Sequence, residues 1–186
     1  DRPIDDSRKC PPVTNGPTPN GMLPNLHAIV AVWDDWGIGL AGDMVVDNRE
    51  DMRHFVACTK GHTVLMGRRT LESFPGGRPL RGRRNIVVTT DSAFSREGVE
   101  VAHAIEEALA LIGNEETWLI GGGMLYHALV GRCATAEVTK NHCTRPADTF
   151  FPNLDEDPSW CLEHARTANE NGDPLVTPEG VAFEFD

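Results

Sequence analysis

The stretch Val64-Leu-Met-Gly-Arg-Arg-Thr-Leu-Glu-Ser-Phe74 decides the fold, because an apolar run ends at a glycine and continues into a helical pattern. A strand that passes directly into a helix is typical of alternating β/α proteins. Arg68 and Arg69 follow the glycine, and guanidinium groups at a helix amino terminus suit phosphate oxygens. The stretch therefore predicts an anion site after a strand. An ordinary solvated loop is the alternative.

The composition limits the class of ligand. The chain has 186 residues, of which 17 are basic and 28 are acidic, and its net charge is −11. This length favours one domain. The acidic balance argues against nucleic acid or an anionic membrane as a partner, since both need a positive protein surface. A local group of arginines on such a chain instead indicates a small anionic ligand; its members are Arg68, Arg69, Arg81, Arg83 and Arg84.

The cysteines and the chain start suggest a compartment and a domain boundary. The five cysteines form no C-x-x-C pair, so we expect neither a disulfide framework nor a metal site, and a reducing compartment fits best. No apolar run is long enough to cross a membrane, and we expect a cytoplasmic protein. Residues 1–24 hold six prolines and two glycines, which predicts a flexible tail or an extended strap before a single domain at 25–186.

From residue 26 onward, short apolar runs alternate with helical patterns. Predicted strands are Leu26–Val32, Thr63–Met66, Asn85–Thr89, Val99–Ala102, Thr117–Ile120 and Ala136–Thr139, and predicted helices are Met52–Cys58, Leu71–Phe74, Ile105–Ile112 and Met124–Val130. Trp160–Ala165 and Val181–Phe185 look like a carboxy-terminal hairpin. We therefore expect an α/β fold with a mostly parallel central sheet, flanking helices and an antiparallel carboxy-terminal strand pair. Ligands of such sheets bind at the carboxyl ends of the strands.

Three glycines form a second candidate phosphate turn in the segment Trp118–Tyr126. Residues 121–123 lack side chains, so the backbone can approach a diphosphate closely. The pattern is not G-x-G-x-x-G, and no acidic residue follows at the required distance, which argues against an ordinary Rossmann fold. A tight turn that packs a helix on the sheet is the alternative interpretation.

Asp51 is the candidate catalytic residue. In a helix that starts near Asn48, it shares a face with Met52, Phe55 and Val56, and a carboxylate on an apolar stripe needs a partner. Spacing alone leaves a second interpretation open, in which Asn48 and Asp51 form a capping box. The glycine-rich segment 37–45 precedes this helix and is placed to act as a lid, although it could be a simple connection.

Taken together, these residues resemble the dihydrofolate reductase family over roughly 25–186. The resemblance rests on Ala28–Val32 with Ile38 and Gly39, Asp51 with Phe55, Val64–Ser73, Arg78–Ile86, Leu119–Tyr126 and Asp148–Pro152. It implies that NADPH reduces 7,8-dihydrofolate by hydride transfer to pterin C6, with protonation at N5. It also implies a monomer whose partners are small molecules, the substrate and antifolate inhibitors.

The resemblance implies roles in substrate binding. Asp51 would accept hydrogen bonds from pterin N3 and the 2-amino group, Thr139 would hydrogen-bond to Asp51, and Arg83 would pair with the substrate's α-carboxylate. A carboxylate in a site of low dielectric would stabilise a hydride acceptor that becomes more cationic. The other substrate-binding positions are Ile29, Val30, Met52, Phe55, Phe74, Leu80 and Ile120.

The resemblance also assigns the NADPH site. Ala31 and Ile38 would touch the nicotinamide, and Arg68, Arg69 and Thr90 would surround the adenosine 2′-phosphate. A cis peptide would join Gly121 to Gly122 within the diphosphate segment, which comprises Gly121, Gly122, Gly123, Met124, Leu125 and Tyr126. The remaining cofactor-binding positions are Gly39, Gly67, Thr70, Thr89, His103 and Thr149, with His103 bordering the adenine. No metal is implied.

Three departures from the family pattern affect the expected site. The lid has Met44-Val-Val46 where the family has Met-Pro-Trp, position 124 is Met where bacterial members often have Arg, and Phe74–Arg78 holds two extra residues. We hypothesise that the altered lid gives a roomier pterin pocket that binds diaminopyrimidine antifolates weakly. Unchanged inhibitor affinity in Val46→Trp would count against this.

Two rival functions share some of these features. One is the NADPH-dependent pyrimidine reductase of riboflavin synthesis, and the other is a non-catalytic protein that binds NADPH or folate. The combination of Asp51 with Arg83 favours folate over the first rival. The missing lid tryptophan favours the second rival, whereas the retained Asp51 argues against it, since a pure binder has little need for that carboxylate.

Overall fold

The structure is a computed structural model that describes residues 21–39, 48–178 and 180–186. These ranges contain nine strands: β1 Leu23–Trp33, β2 Gly37–Gly39, β3 Thr63–Gly67, β4 Arg84–Val88, β5 Val99–Ala102, β6 Thr117–Gly121, β7 Cys133–Asn141, β8 Thr149–Phe150 and β9 Phe183–Phe185. The helices are α1 Arg49–Thr59, α2 Arg68–Ser73, α3 Ile105–Ile112 and α4 Gly123–Leu129. Single 3-10 turns lie at Pro75–Gly77 and Val130–Arg132.

A seven-stranded sheet has the order β5-β4-β3-β6-β1-β7-β9. The pairs β4–β5, β3–β4, β3–β6 and β1–β6 are parallel, and β7–β9 is antiparallel. A separate antiparallel pair joins β2 to β8. The predicted fold class is thereby confirmed.

The chain divides into two compact units. In the unit that comprises residues 21–29 and 52–136, a core of Val64, Met66, Leu71, Val87 and Phe94 is buried. β3 is apolar at consecutive positions because a central parallel strand is covered on both faces. In the other unit, whose described part lies within 30–51 and 137–186, Leu175, Phe183 and Phe185 form a buried cluster. The expected single domain at 25–186 stays a prediction.

The predicted strand at Trp160–Ala165 is wrong. Residues 161, 163 and 164 are exposed, and only Ala165 is buried, so the segment offers no continuous apolar face. An isolated antiparallel bridge joins Arg166 to Phe185 instead. The antiparallel partner of β9 is β7, with Thr139 opposite Phe185.

Several expected boundaries change near the amino terminus. β1 begins at Leu23, inside the predicted tail, and the tail prediction for residues 1–20 lies outside the described residues. The predicted lid begins with a strand, since Gly37–Gly39 is β2. Residues 40–47, which include the rest of that segment and the Val46 departure, lie outside the described residues.

The cysteines bear on the expected compartment. Cys161 is disulfide-bonded, which a reducing compartment does not favour. Cys58, Cys133 and Cys143 carry free thiols. Within the described part of the chain, the helices are all too short or too polar to cross a membrane.

Candidate active site

Asn48 caps α1 and sets the position of Asp51. The Asn48 side chain accepts a hydrogen bond at Oδ1 from the backbone N–H of Asp51, at 3.0 Å. This is the bond that an N-cap residue makes to the third helical residue. Its other end is fixed too, since Nδ2 donates to Oδ1 of Asn141 at 3.2 Å. The side chains of Asn48 and Asn141 are both buried, so the start of α1 is held firmly.

The Asp51 carboxylate faces a buried hydroxyl. Thr139 on β7 donates from Oγ1 to Oδ1 of Asp51 at 2.6 Å, and Thr139 is buried. The hydrogen bond that the resemblance implied is therefore present. Asn48 thus caps the backbone at Asp51, and Thr139 of β7 binds the Asp51 carboxylate. A half-buried carboxylate that a buried hydroxyl orients is suited to a planar pair of N–H donors.

The apolar residues predicted to share a face of α1 with Asp51 are only partly buried. Met52 is 58% exposed and Val56 is 42% exposed, whereas Phe55 is half-buried. Thr59 ends the helix by donating from Oγ1 to the carbonyl of Phe55 at 2.8 Å. Large apolar side chains that stay open beside a candidate acid are suited to contact with an apolar ring of a ligand.

Arg83, the arginine predicted to bind the substrate's α-carboxylate, donates to neutral groups of the chain. Its Nε donates to Oγ1 of Thr59 at 2.9 Å, and Nη1 donates to the carbonyl of Arg81 at 2.9 Å. Burial lowers the pKa of Arg83, and within the described residues no carboxylate pairs with it. The neighbouring Arg84 differs, since Glu100 and Glu115 both bind it. A half-buried, unneutralised guanidinium is suited to an anionic ligand.

Three predicted substrate-wall residues lie on one core. Phe74, Leu80 and Ile120 are half-buried and pack against the cluster around Val64 and Met66. Ile29 is 5% exposed, and its carbonyl accepts a 2.7 Å hydrogen bond from the hydroxyl of Tyr126. In the other unit, Val30 is buried and Ala31 is half-buried on β1.

The two glycine turns come together at the ends of β3 and β6. Met66 pairs with Gly121, and a Cβ added at Gly67 would lie 3.7 Å from the backbone N of Gly122. A Cβ on Gly121, whose φ is +137°, would lie only 3.0 Å from Oγ1 of Thr70. The predicted cis peptide is present between Gly121 and Gly122. The turns thus keep backbone surface open that a side chain would cover.

The strand ends β5, β4, β3 and β6 are neighbours, and the other predicted nucleotide residues follow them. Thr89 follows β4, and its carbonyl lies 3.0 Å from Nδ1 of His103, which follows β5. Arg69, Thr90 and Met124 are exposed, with Met124 at 90%. Leu125 and Tyr126 are buried, whereas Gly122 and Gly123 are half-buried. The predicted nucleotide residues of this unit therefore share one edge of the sheet.

Arg68 has partners that sequence reasoning missed. Its Nε donates to Oε1 of Glu72 and its Nη1 to Oδ2 of Asp91, each at 2.8 Å. These hydrogen bonds, that to Glu72 foremost, raise the pKa of Arg68. The spacing of four residues on a helix could have indicated Glu72. Nothing in the sequence pattern indicated Asp91, which is 23 residues away.

The predicted nicotinamide-side residues of the other unit meet in the small sheet. Gly39 pairs with Thr149, and Gly37 pairs with Phe150. The carbonyl of Gly39 accepts a 3.0 Å bond from the N–H of Asp148, next to Thr149. Ile38 is half-buried on β2. β2 and β8 thus bring Ile38, Gly39 and Thr149 together.

The insertion after Phe74 forms the 3-10 turn at Pro75–Gly77. Gly76 has φ +66° and Gly77 has φ +61°, a region that side chains disfavour. A Cβ at Gly77 would also lie 2.7 Å from Nη1 of Arg96. The two glycines are therefore required by the turn itself.

The chain is similar to proteins of one family. The family model described as dihydrofolate reductase matches residues 25–177. Dihydrofolate reductase of Mycobacterium tuberculosis is 42% identical over 123 residues, which are 64% of this chain and 74% of that protein. Dihydrofolate reductase of Mycobacterium leprae is 41% identical over 153 residues, 80% of this chain and 87% of that protein.

A solved structure is similar as well. It is dihydrofolate reductase from Enterococcus faecalis complexed with NADP(H) and RAB-propyl. It superimposes with a TM-score of 0.73 at 32% identity and covers 89% of this chain and 94% of that one. The similarity therefore extends from sequence to architecture.

Proposed function

We propose that this chain, which belongs to the dihydrofolate reductase family, catalyses the NADPH-dependent reduction of 7,8-dihydrofolate to 5,6,7,8-tetrahydrofolate. The overall reaction consumes one NADPH and one proton and releases NADP⁺. The hydride adds to C6 of the pterin, and the proton is taken up at N5. The rival pyrimidine reductase is not favoured by the relatives, which are dihydrofolate reductases.

The observation that carries the proposal is the hydrogen bond between Thr139 and Asp51. The carboxylate is held at one oxygen by a buried hydroxyl, which fixes its orientation. We assign Asp51 to the pterin, where it would accept hydrogen bonds from N3 and the 2-amino group. Its negative charge would stabilise the positive charge that builds on the ring as the hydride adds.

Arg83 is assigned to the α-carboxylate of the substrate. It is half-buried, its described partners are a hydroxyl and a carbonyl, and no carboxylate of the described residues neutralises it. A carboxylate ligand would supply the missing counter-ion and could be bound through two parallel N–H bonds. The apolar walls are assigned to Ile29, Val30, Met52, Phe55, Phe74, Leu80 and Ile120.

The residues present fit NADPH, which supplies the hydride when it is bound. Gly67 and Gly121–Gly123 leave backbone uncovered, and a Cβ at Gly121 would approach Thr70 too closely. We assign Gly67, Thr70 and Gly121–Tyr126 to the diphosphate, and Ala31, Ile38, Gly39 and Thr149 to the nicotinamide side. Arg68, Arg69, Thr89, Thr90 and His103 are assigned to the adenosine end.

The test is NADPH oxidation with dihydrofolate, followed by near-ultraviolet absorbance across a range of pH. We expect Asp51→Asn to lose about a hundredfold or more of kcat/KM at neutral pH and to recover part of it in acid, where the substrate is more readily protonated. Asp173→Asn is the matched control, because Asp173 is exposed. A wild-type chain that binds NADPH without oxidising it would favour the non-catalytic binder instead.

We further propose that the protein is monomeric, acts in the cytoplasm and binds antifolates at the Asp51 site. Light scattering should then give a mass near 20.4 kDa. Cell fractionation tests the compartment, against which the disulfide at Cys161 is the one contrary observation. Antifolate titration of Asp51→Asn tests the inhibitor site, where we expect weaker binding than in the wild type.

A further inference from the structure

Arg68, which the proposed function assigns to the cofactor's 2′-phosphate, already binds two carboxylates. Arg68 donates from Nε to Glu72 and from Nη1 to Asp91. Its guanidinium also lies 4.8 Å from the centre of the Phe94 ring. The two bonds leave the second N–H of Nη1 and both N–H groups of Nη2 for a ligand. Within the triplet of Arg68, Glu72 and Asp91, two anions face one cation, so the charge of Arg68 is fully compensated.

Asp91 is held in place by its own turn. Its Oδ1 accepts a 2.9 Å hydrogen bond from the N–H of Ala93, and its backbone N–H donates to Oγ1 of Thr89 at 3.2 Å. The remaining oxygen, Oδ2, is the one that meets Arg68. The bond from Ala93, then Arg68 and His103, lower the pKa of Asp91, so the group is anionic at neutral pH. The side chain remains 45% exposed, so a ligand can reach it.

A carboxylate fixed beside Arg68 favours a different group at the ribose 2′ position than the arginine does. A 2′-phosphate carries close to two negative charges, so Asp91 repels it and competes with it for Arg68. A ribose 2′-hydroxyl is a hydrogen-bond donor, and an acidic side chain accepts its bond in NAD-binding sites, whereas arginine accommodates the phosphate of NADP. The chain presents both kinds of group at one place.

We propose that Asp91 is a specificity-determining residue for the 2′ position of the cofactor's adenosine. It weakens the binding of NADPH through charge and strengthens that of NADH by accepting a hydrogen bond from the 2′-hydroxyl. The enzyme therefore uses both nucleotides, and its dissociation constants for NADPH and NADH differ less than they would with the two arginines alone. The inference rests on the proposed function for the assignment of Arg68 to the adenosine end.

The test is equilibrium binding of NADPH and of NADH by calorimetry, at low and at moderate salt. In Asp91→Asn we expect the ratio of the two dissociation constants to shift toward NADPH by about three- to tenfold, with NADPH bound more tightly and NADH more weakly. Salt should reduce the NADPH part of the shift, since it screens exposed charges. Glu97→Gln, at an exposed position before β5, should leave the ratio unchanged.

A second carboxylate variant separates the two parts of the effect. Glu72→Gln removes the other partner of Arg68, so we expect tighter NADPH binding with NADH binding unchanged. If Glu72→Gln weakens NADH as much as Asp91→Asn does, the 2′-hydroxyl contact does not belong to Asp91. An unchanged ratio in Asp91→Asn, or an equal change for both nucleotides, overturns the proposal.

Folding and function are checked separately. Asn and Ser can both accept the bond from Ala93 through a side-chain oxygen, so Asp91→Asn and Asp91→Ser should keep the turn. Both should melt at the wild-type temperature and shift the ratio in the same direction. Calorimetry needs no turnover, so failure to reduce dihydrofolate would contradict the proposed function alone. An active enzyme with an unshifted ratio would contradict the role of Asp91 alone.

Discussion

Thr139 and Asp51 are 88 residues apart in the chain and are joined by a 2.6 Å hydrogen bond from Oγ1 to Oδ1. The hydroxyl is buried on β7, and the carboxylate belongs to the first turn of α1. A hydrogen bond to a charged group in such a place is worth more than one between neutral groups. A hydroxyl of a distant strand therefore helps to set the direction of the carboxylate.

Thr139→Val should damage catalysis more than folding. Valine keeps the volume and the β-branch but removes the hydroxyl, so Asp51 loses the donor that orients it. We expect kcat/KM for dihydrofolate to fall by about three- to thirtyfold, with a smaller relative effect on NADPH binding. Thr144→Val is the control, since Thr144 is exposed in the same unit. A normal rate in Thr139→Val would show that the hydroxyl does not position Asp51.

Asn48→Ala should destabilise the start of α1. The variant loses the 3.0 Å cap bond to the N–H of Asp51 and the 3.2 Å bond to Asn141. We expect the free energy of unfolding to fall by about 1–2 kcal/mol, measured by urea denaturation. Asn48→Ser should recover part of the loss, because serine also caps helices. Equal stabilities of the alanine and serine variants would contradict the capping role.

The sequence predicted regular elements better than contacts. β3 and α3 were predicted to within one residue, since a continuous apolar run and a 3.6-residue period are strong local signals. The strand predicted at 160–165 is wrong because apolar residues alone do not make a strand. A strand also needs a neighbouring strand with which to form hydrogen bonds, and β9 pairs with β7 instead.

The site depends on pairs that no local pattern encodes. The contact of Thr139 with Asp51 was expected only through the family resemblance, because 88 residues separate them. Glu72 could be related to Arg68 by helical spacing, whereas Asp91 reaches Arg68 only because β3 and β4 are adjacent. Tertiary structure thus adds the acid that changes what the arginine can bind.

Cys133 should be inert to thiol reagents in the folded protein. Burial raises the pKa of its thiol to about 12, and the sulfur donates to the carbonyl of Leu129 at 3.4 Å. Because the thiolate is the reactive form, we expect Cys58 and Cys143, which are half-buried, to react first with a disulfide reagent at pH about 8. In Cys133→Ala, the amplitude of the fast reaction with the reagent should be unchanged. The variant should lose only the thiol that becomes reactive after denaturation. Loss of fast amplitude in that variant would show that Cys133 is accessible.

The ion pairs of Arg84 should make the free energy of unfolding decrease as the pH falls into the acidic range. It donates from Nε and Nη2 to both oxygens of Glu100, at 2.5 and 2.8 Å, and from Nη1 to Glu115 at 2.6 Å. The hydrogen bond from Arg84 is the main reason why the pKa of each glutamate lies below its usual range. A lowered acid pKa stabilises the folded state above the unfolded value of about 4.3, and this contribution is lost as the pH falls through the folded value.

Arg84→Gln tests that dependence by urea unfolding at a series of pH values. The glutamates are about half exposed, so solvent limits the loss at pH 7 to about 1 kcal/mol. The difference between wild type and variant should stay constant from about pH 7 to pH 5 and shrink below about pH 4.3, as both carboxylates become protonated in both proteins. Arg81→Gln is the control, since Arg81 is exposed and its side chain should leave the curve unchanged. A difference that persists undiminished at pH about 2 would mean that Arg84 stabilises the fold by packing and by its bond to the Leu111 carbonyl, not by charge.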